Sequence, residues 1–427
     1  MSAAHQRRLL LAGAAYLSTG SNGGWTKRVP HFSWESHVDR LHEAEFKLRY
    51  RLSSESFYKL LDILKPELDV TDHRQEMRSR SGHPIELPTR LAVALRYFAG
   101  GDPLDLCLIY GMSKFQVFAC IWKAVDAINI CLDNINFPIH DVEALKVLEA
   151  DFRAGTRGGF WEGQVGAIDG LHTKMQRPTL AEVRDPMRYY VARKQEFALL
   201  AIAICDYHRR FTWVDISHAS QTHDSTAWEA TELGQMIKAG DLPAPFFLNG
   251  DAAFTLSPSM IVPSKSDSRL DAFDFYQSSN RMAIECAFGI LVRRWGVLWR
   301  PLRQAFHRRA PLLVALMRLH NFCIDERLQS AQEAWLPNID SSTSEIQPER
   351  RKRVPLFDKD GRPVHMLDTC RWDDDGAPTR TDRSEASQQG NRAARRDELA
   401  QAVHDAGFVR QLRDNANIIR RKRGRAT

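Results

Sequence analysis

From Phe32 to Leu132 apolar residues recur every three or four positions, the spacing of one helix face. Phe46, Leu48 and Tyr50 mark one helix and Phe57, Leu60, Leu61 and Leu64 a second, which Ser53 or Ser54 is placed to cap. LPTRLAVALRYFAG opens another near Pro88 and ends it at Gly100-Gly101, and the short DPLDLCLIYG follows. Ser113 then precedes a long run in which Phe115, Phe118, Ile121, Trp122, Val125 and Ile128 form one broad apolar stripe. Three helices joined by short turns have the plan of a helix-turn-helix module, but most compact three-helix arrangements are packing layers that bind no DNA.

Near Gly159 the period changes. GQVGAIDG reads as a short buried strand ending in Asp169, EFALLAIAICD as a nearly continuous apolar strand, YHRR as a turn and FTWVDIS as the returning strand of a hairpin. HDSTAWEATELGQMI offers a helix that Asp224 or Ser225 would cap, and LPAPFFLNGD a further strand ending in Asp251. Residues 278–299 form a strongly amphipathic helix, and APLLVALMRLHNFCID a last one that closes near Asp325. A hairpin, a helix, a crossover strand and further helices in this order describe an α/β domain.

At 427 residues the chain has room for two or three domains. Its 59 basic and 53 acidic residues leave a net charge of +6. From Asn391 onward ten basic residues stand against four acidic ones, so the rest of the chain is balanced and a basic face there must come from patterning. Residues 331–427 carry few apolar anchors and read as a mobile polar and basic tail. Its densest cluster, Arg420, Arg421, Lys422 and Arg423, suits nuclear import, phosphate contacts or simple solvation. Residues 1–30 read as a flexible segment. There Arg7-Arg8 precede LLLAGAAYL, which resembles a signal-peptide core; the run has a poor cleavage signature, is too short for a bilayer, and suits an amphipathic or buried helix as well. No other stretch has the length of a membrane span, so no membrane partner is expected. Seven cysteines without a CxxC pair favour a reducing compartment and argue against a thiolate zinc knuckle.

Three acidic residues stand where buried elements would present them to one centre: Asp169, Asp251, and Glu285 between Ile284 and Cys286 on the long helix. For Glu285 an ion pair with Arg281, four residues earlier, is the plain structural alternative. Hard divalent cations prefer oxygen ligands, and carboxylates converging from separate segments can hold one or two ions with room left for substrate oxygens. Ions so held activate water or a terminal hydroxyl and stabilise the leaving oxygen of a phosphodiester, with no His or Cys nucleophile.

The stretch from Val165 to Asp325 resembles the nuclease domain of Harbinger-type transposases and their domesticated relatives, members of the DDE superfamily with an RNase H-like core. AIDGLHTKMQRP carries the family's first catalytic aspartate onto Asp169, with His172 nearby, and YYVARKQEFALLAIAICD supplies the basic pair Arg193 and Lys194. SHASQTHDSTAW puts His223 and Asp224 at accessory positions, LNGDAAF places the second aspartate at Asp251, and NRMAIECAFGILVRRWGVL places the glutamate at Glu285. RLHNFCID, with His320 and Asn321, looks like the closing helix. The first gap is 82 residues and the second 34. Three positions depart from the usual pattern: Leu171 stands for a Thr, and Ala253-Phe254 for Gly-Tyr.

The resemblance implies an RNase H-like core over 141–330, preceded at 31–140 by the helical region, in which a helix-turn-helix would bind DNA. It implies an endonuclease or transposase that cleaves phosphodiesters at element ends and performs strand transfer, with Asp169, Asp251 and Glu285 holding Mg²⁺ or Mn²⁺. Duplex DNA would be the partner, met by Arg193, Lys194, Arg293, Arg294, Arg300 and the Arg420–Arg423 cluster. A Myb-like DNA-binding protein, a second copy of the chain and a nuclear location belong to the same expectation. The competing reading is a domesticated, non-catalytic DNA-binding or chromatin-associated protein. Hydrolysis of a small phosphate ester also fits three carboxylates but gives the helices and the basic tail no task.

Overall fold

The centre of the molecule is an open mixed sheet in the order β4-β3-β1-β5-β6. Its strands are β1 (Gln164–Lys174), β2 (Tyr190–Val191), β3 (Glu196–Cys205), β4 (Phe211–Asp215), β5 (Phe247–Asn249) and β6 (Met260–Ile261). The computed structural model describes residues 32–69, 84–156, 161–264, 270–329 and 389–405, with short strands at 356–357 and 363–364. β3 runs antiparallel to β1, from Ala167↔Cys205 to Lys174↔Ala198, and antiparallel to β4. β2 adds a two-residue pairing at the start of β3. The chain then crosses over through α8 (Asp224–Glu229) and α9 (Glu232–Ala239) to lay β5 parallel to β1 and β6 parallel to β5. Three antiparallel strands followed by a crossover to parallel ones make an RNase H-like core, as the sequence predicts.

Alternation along the strands separates two cores. Ile168, Leu200, Ile202 and Ile204 face Trp228, Leu233 and Ile237 of the crossover helices. Ala167, Leu171, Ala201 and Ala203 face the other way, toward α10 (Asp271–Arg294) and α11 (Phe306–Gln329).

That second core continues without a break into the N-terminal helices: α1 (Trp34–Val38), α2 (Glu43–Tyr50), α3 (Ser54–Leu68), α4 (Leu87–Phe98), α5 (Pro103–Ile109) and α6 (Lys114–Cys131). Ser53 caps α3, and Ser113 with Gln116 forms a capping box at α6, where the sequence places the caps. α6, the third helix of the expected helix-turn-helix, packs on α3, α4, α5 and α11. Its Val117, Cys120, Ile121, Ala124, Val125 and Ile128 are buried, so the helix forms the middle of a packing layer. Its open strip carries Phe115 and Ile130 rather than a row of basic residues. No single described helix is long and apolar enough to cross a membrane. α7 (Val142–Gly155) leads into β1.

Several local expectations change. Asp169 lies in the middle of β1 rather than at its end, because Leu171 to Lys174 continue pairing with β3. The crossover helix is two, broken at Ala230–Thr231, where the Thr231 hydroxyl caps α9. Neither Asp224 nor Ser225 caps α8; His223 holds that position. The long helix starts at Asp271 and ends at Arg294, and Gly296–Trp299 follows as a 3-10 turn. Trp299 is largely exposed. The tail is not uniformly mobile. α12 (Gln389–Asp405) docks Leu399 and Val403, spaced one helical turn apart, onto Trp161, Phe247, Ile261, Phe273 and Tyr276. Arg395 secures it by donating to the Glu162 carbonyl at 3.0 Å. Residues 1–30 and the Arg420–Arg423 cluster lie outside the described residues.

Candidate active site

Asp169 and Asp251 occupy matching positions on parallel neighbours. The β1–β5 pairing reaches Ala167↔Asn249, and each aspartate stands two residues past that pair, where β1 no longer pairs with β5. A buried amide pair fixes the end of β5 against α10: Gln277 Nε2 donates to Asn249 Oδ1 at 2.6 Å and to the Gly250 carbonyl at 2.7 Å, and Asn249 Nδ2 donates to the Gln277 carbonyl at 3.1 Å. Asp251 Oδ1 accepts from the Ala253 amide at 2.8 Å, a local turn that orients the carboxylate.

Asp169 faces α10. Its Oδ1 accepts from the Gly170 amide at 2.8 Å and its Oδ2 from Arg281 Nη1 at 3.4 Å. The same nitrogen lies 2.6 Å from Glu285 Oε1, which limits the separation of the Asp169 and Glu285 oxygens to about 6 Å. Arg281 is therefore both the helix partner of Glu285 anticipated from the sequence and a bridge to β1.

A fourth carboxylate joins them. A Cβ on Gly170 would stand 2.5 Å from Asp224 Oδ2, so the glycine makes room for Asp224 against the strand. The Asp224 carboxyl has no hydrogen bond or ion pair among the described residues. Burial, assisted by Asp251 and Asp224 and opposed by Arg281, pushes the Asp169 carboxyl up to about 7. Burial and Asp251 push Asp224 up to about 6 against the pull of His223, Lys194 and Arg193.

Both carboxyls bind protons more tightly in the folded than in the unfolded chain. Folding stability therefore falls as pH rises from about 4 to about 7 and levels off above. Asp169→Asn removes this charge and is expected to raise the melting temperature by a few degrees at pH 8, with little change at pH 5. A lower melting temperature at pH 8 would mean that attraction to Arg281 outweighs burial.

Arg193 and Lys194 sit in the 3-10 turn between β2 and β3 and act electrostatically on both Asp224 and His172. Burial lowers the Lys194 amine to about 8, with Glu196 opposing. His172 is neutral at physiological pH, its imidazole lowered to about 4 by burial and Lys194, and its Nε2 lies 3.3 Å from the Ser220 carbonyl. His223 is exposed at the start of α8. Arg293 and Arg294 end α10, about 12 Å along its axis from Glu285, and Arg300 follows the 3-10 turn. His320 and Asn321 are buried far along α11 and serve the scaffold. Arg281 as a bridge, Gly170 as a space-maker and the Asn249–Gln277 lock are the features that residue-by-residue reading missed. The polar Asn249 within an apolar strand is the signal that could have found the last.

By chemistry the donor set, carboxylates from β1, the β5 end, α8 and α10, is that of a hard divalent cation, and burial, with Asp251 and Asp224 adding to it, raises the Asp169 carboxyl. Among the described residues, however, no group of three or more His, Cys, Asp or Glu stands close enough together to hold a metal ion, and the Arg281 guanidinium supplies the positive charge between Asp169 and Glu285.

Comparison with known proteins covers the segment that carries these carboxylates. Residues 168–321 match the family described as DDE superfamily endonuclease. A protein named ALP1-like from Arabidopsis thaliana is 23% identical over 309 residues, which cover 67% of this chain and 72% of that one. No solved structure matches. The segment 168–321, from the strand of Asp169 to the Asn321 clamp, is thus similar to a DDE superfamily endonuclease domain.

Proposed function

We propose that the chain is a divalent-metal-dependent DNA endonuclease of the transposase type, cutting phosphodiesters at element ends and joining the freed 3′ hydroxyl to target DNA in the nucleus. The observation that carries this reading is the pairing of Asp169 and Asp251 beyond the last β1–β5 register pair, with Glu285 brought to Asp169 through Arg281. Asp169, Asp251 and Glu285 hold the cation, Mg²⁺ or Mn²⁺. Such a cation, once bound, supplies Lewis-acid polarisation of the phosphate and a lowered pKa for the attacking water or hydroxyl. Arg281 releases the carboxylates it bridges and turns its guanidinium toward a phosphate oxygen. Arg193 and Lys194 hold the DNA backbone beside the opening. Asp224, unpaired and poised near neutrality, accepts the proton of the attacking group. His172 and His223 stay accessory, the first holding the loop at Ser220 and the second modulating Asp224.

A Myb-like end-reading partner and self-association complete the family's scheme and enter here as part of the proposal. The test is nicking of a labelled element-end duplex by the purified full chain, with any required partner, over a Mg²⁺ titration. Cleavage should appear with the metal and vanish in EDTA. Arg281, which satisfies Asp169 and Glu285 without a metal, favours one second reading: a domesticated protein that binds DNA without cutting it. DNA binding with no nick under any metal condition would select that reading.

A further inference from the structure

Away from the carboxylates, arginines gather where the N-terminal helices meet the far end of α10. Arg49 and Arg51 flank the buried Tyr50 at the end of α2, and Arg51 adopts a left-handed φ of 63°. Arg96 extends from α4, where its Nη1 donates to the Arg49 carbonyl at 3.3 Å. Arg294 ends α10, and α4 is brought against that end because Gly100 and Gly296 touch backbone to backbone, with a Gly100 Cβ falling 3.3 Å from Gly296. Arg96 and Arg294 both lie close enough to Arg51 to oppose its charge, and Arg40, Arg49 and Arg96 act together on His37.

Like charges gathered this way ordinarily recruit carboxylates. Among the described residues, however, Arg49, Arg51, Arg96 and Arg294 make no ion pair with an acid, and Arg51 Nε is buried without a hydrogen-bond partner. An oxyanion would offset the mutual repulsion, and the planar guanidinium fork matches phosphate oxygens.

We propose that this seam is a phosphate-binding site for the DNA backbone, formed by Arg51, Arg96 and Arg294 with Arg49 at its edge, and separate from the carboxylate centre. It rests on the reading of the chain as a DNA-acting protein. Arg294 lies nine residues beyond Glu285, about 13 Å along α10 and two and a half turns around it. The seam therefore holds duplex flanking the reacting strand rather than the scissile phosphate. Guanidinium groups from three separate elements suit successive phosphates of a strand better than one small anion. On this account the helical layer contacts DNA through its junction with the nuclease core, not through a recognition helix.

The test uses the full chain, a fluorescently labelled duplex of unrelated sequence, EDTA to remove metal, and a sodium chloride titration read by anisotropy. The triple variant R51Q/R96Q/R294Q should lower the slope of log affinity against log salt by about 2 to 3, since each lost phosphate contact removes about 0.9. R51K/R96K/R294K, which keeps the charge, should retain most of the slope. R153Q, at a separate surface pair with Glu162, should leave it unchanged. If the triple variant does not fold by circular dichroism, R96Q and R294Q singly should each lower the slope by about 1. A folded variant with the wild-type slope overturns the site while leaving the DNA reading intact. Absence of any duplex affinity in the wild type overturns both. Pyrophosphate that raises the wild-type melting temperature but not the variant's, with the DNA slope unmoved, reassigns the seam to a free anion and overturns the DNA assignment.

Discussion

Asp169→Asn, Asp251→Asn and Glu285→Gln are each expected to lower Mg²⁺-dependent cleavage about 10³-fold or more, while duplex affinity in EDTA stays within a few-fold of wild type. Each exchange keeps nearly the same volume and removes one ligand charge, so a loss confined to cleavage isolates metal binding from folding. Arg281→Ala separates the two accounts of Glu285. If Glu285 serves only as the helix partner of Arg281 at 2.6 Å, then Glu285→Gln and Arg281→Ala cost similar, modest stability and neither affects cleavage. If the carboxylates hold the cation, Arg281→Ala removes a competitor for Asp169 and Glu285, and less Mg²⁺ should half-saturate binding, measured by calorimetry. Full cleavage by purified Glu285→Gln sinks the three-carboxylate assignment.

Much of this layout was legible because it follows from local periodicity. The apolar runs around Asp169, Asp251 and Glu285 give their strands and helix directly, and Ser53 and Ser113 cap the helices they precede. What escaped depends on pairing between distant residues. The continuation of β1 past Asp169 is set by Leu199 and Leu200 across the ladder, not by β1's own polar His172 and Lys174. The Asn249–Gln277 lock joins residues 28 positions apart with no periodic signature. α6 shows one broad apolar stripe, but only the tertiary fold reveals that α11 packs on it along with α3, α4 and α5. α12 hides because Leu399 and Val403 are two anchors in a charged sequence, too few to distinguish a docked helix from a solvated one until their partners are known.

Asn321 is expected to be the most sensitive scaffold position near the site. From the middle of α11 its Oδ1 accepts from the Phe211 amide, and its Nδ2 donates to the Phe211 and Asn134 carbonyls, all at 2.7 Å. The residue thus replaces a missing neighbour at the start of β4 and ties α11 both to the sheet and to the segment that follows α6. Asn321→Ala leaves buried backbone groups without partners and should cost about 3–5 kcal/mol. The melting temperature should fall on the order of 10 °C. Asn321→Asp provides the finer test. Its carboxylate can still accept from Phe211 but meets two carbonyl oxygens where the amide donated, and burial disfavours its charge. Its folded-state pKa is therefore raised, so the destabilisation should deepen as pH rises from 5 to 8 and recede when the acid is protonated. Neighbouring His320 adds no competing titration in that window, since burial lowers its imidazole to about 3. Cleavage lost at an unchanged melting temperature would instead make Asn321 part of the chemistry, and the clamp would cease to explain why an amide stands there.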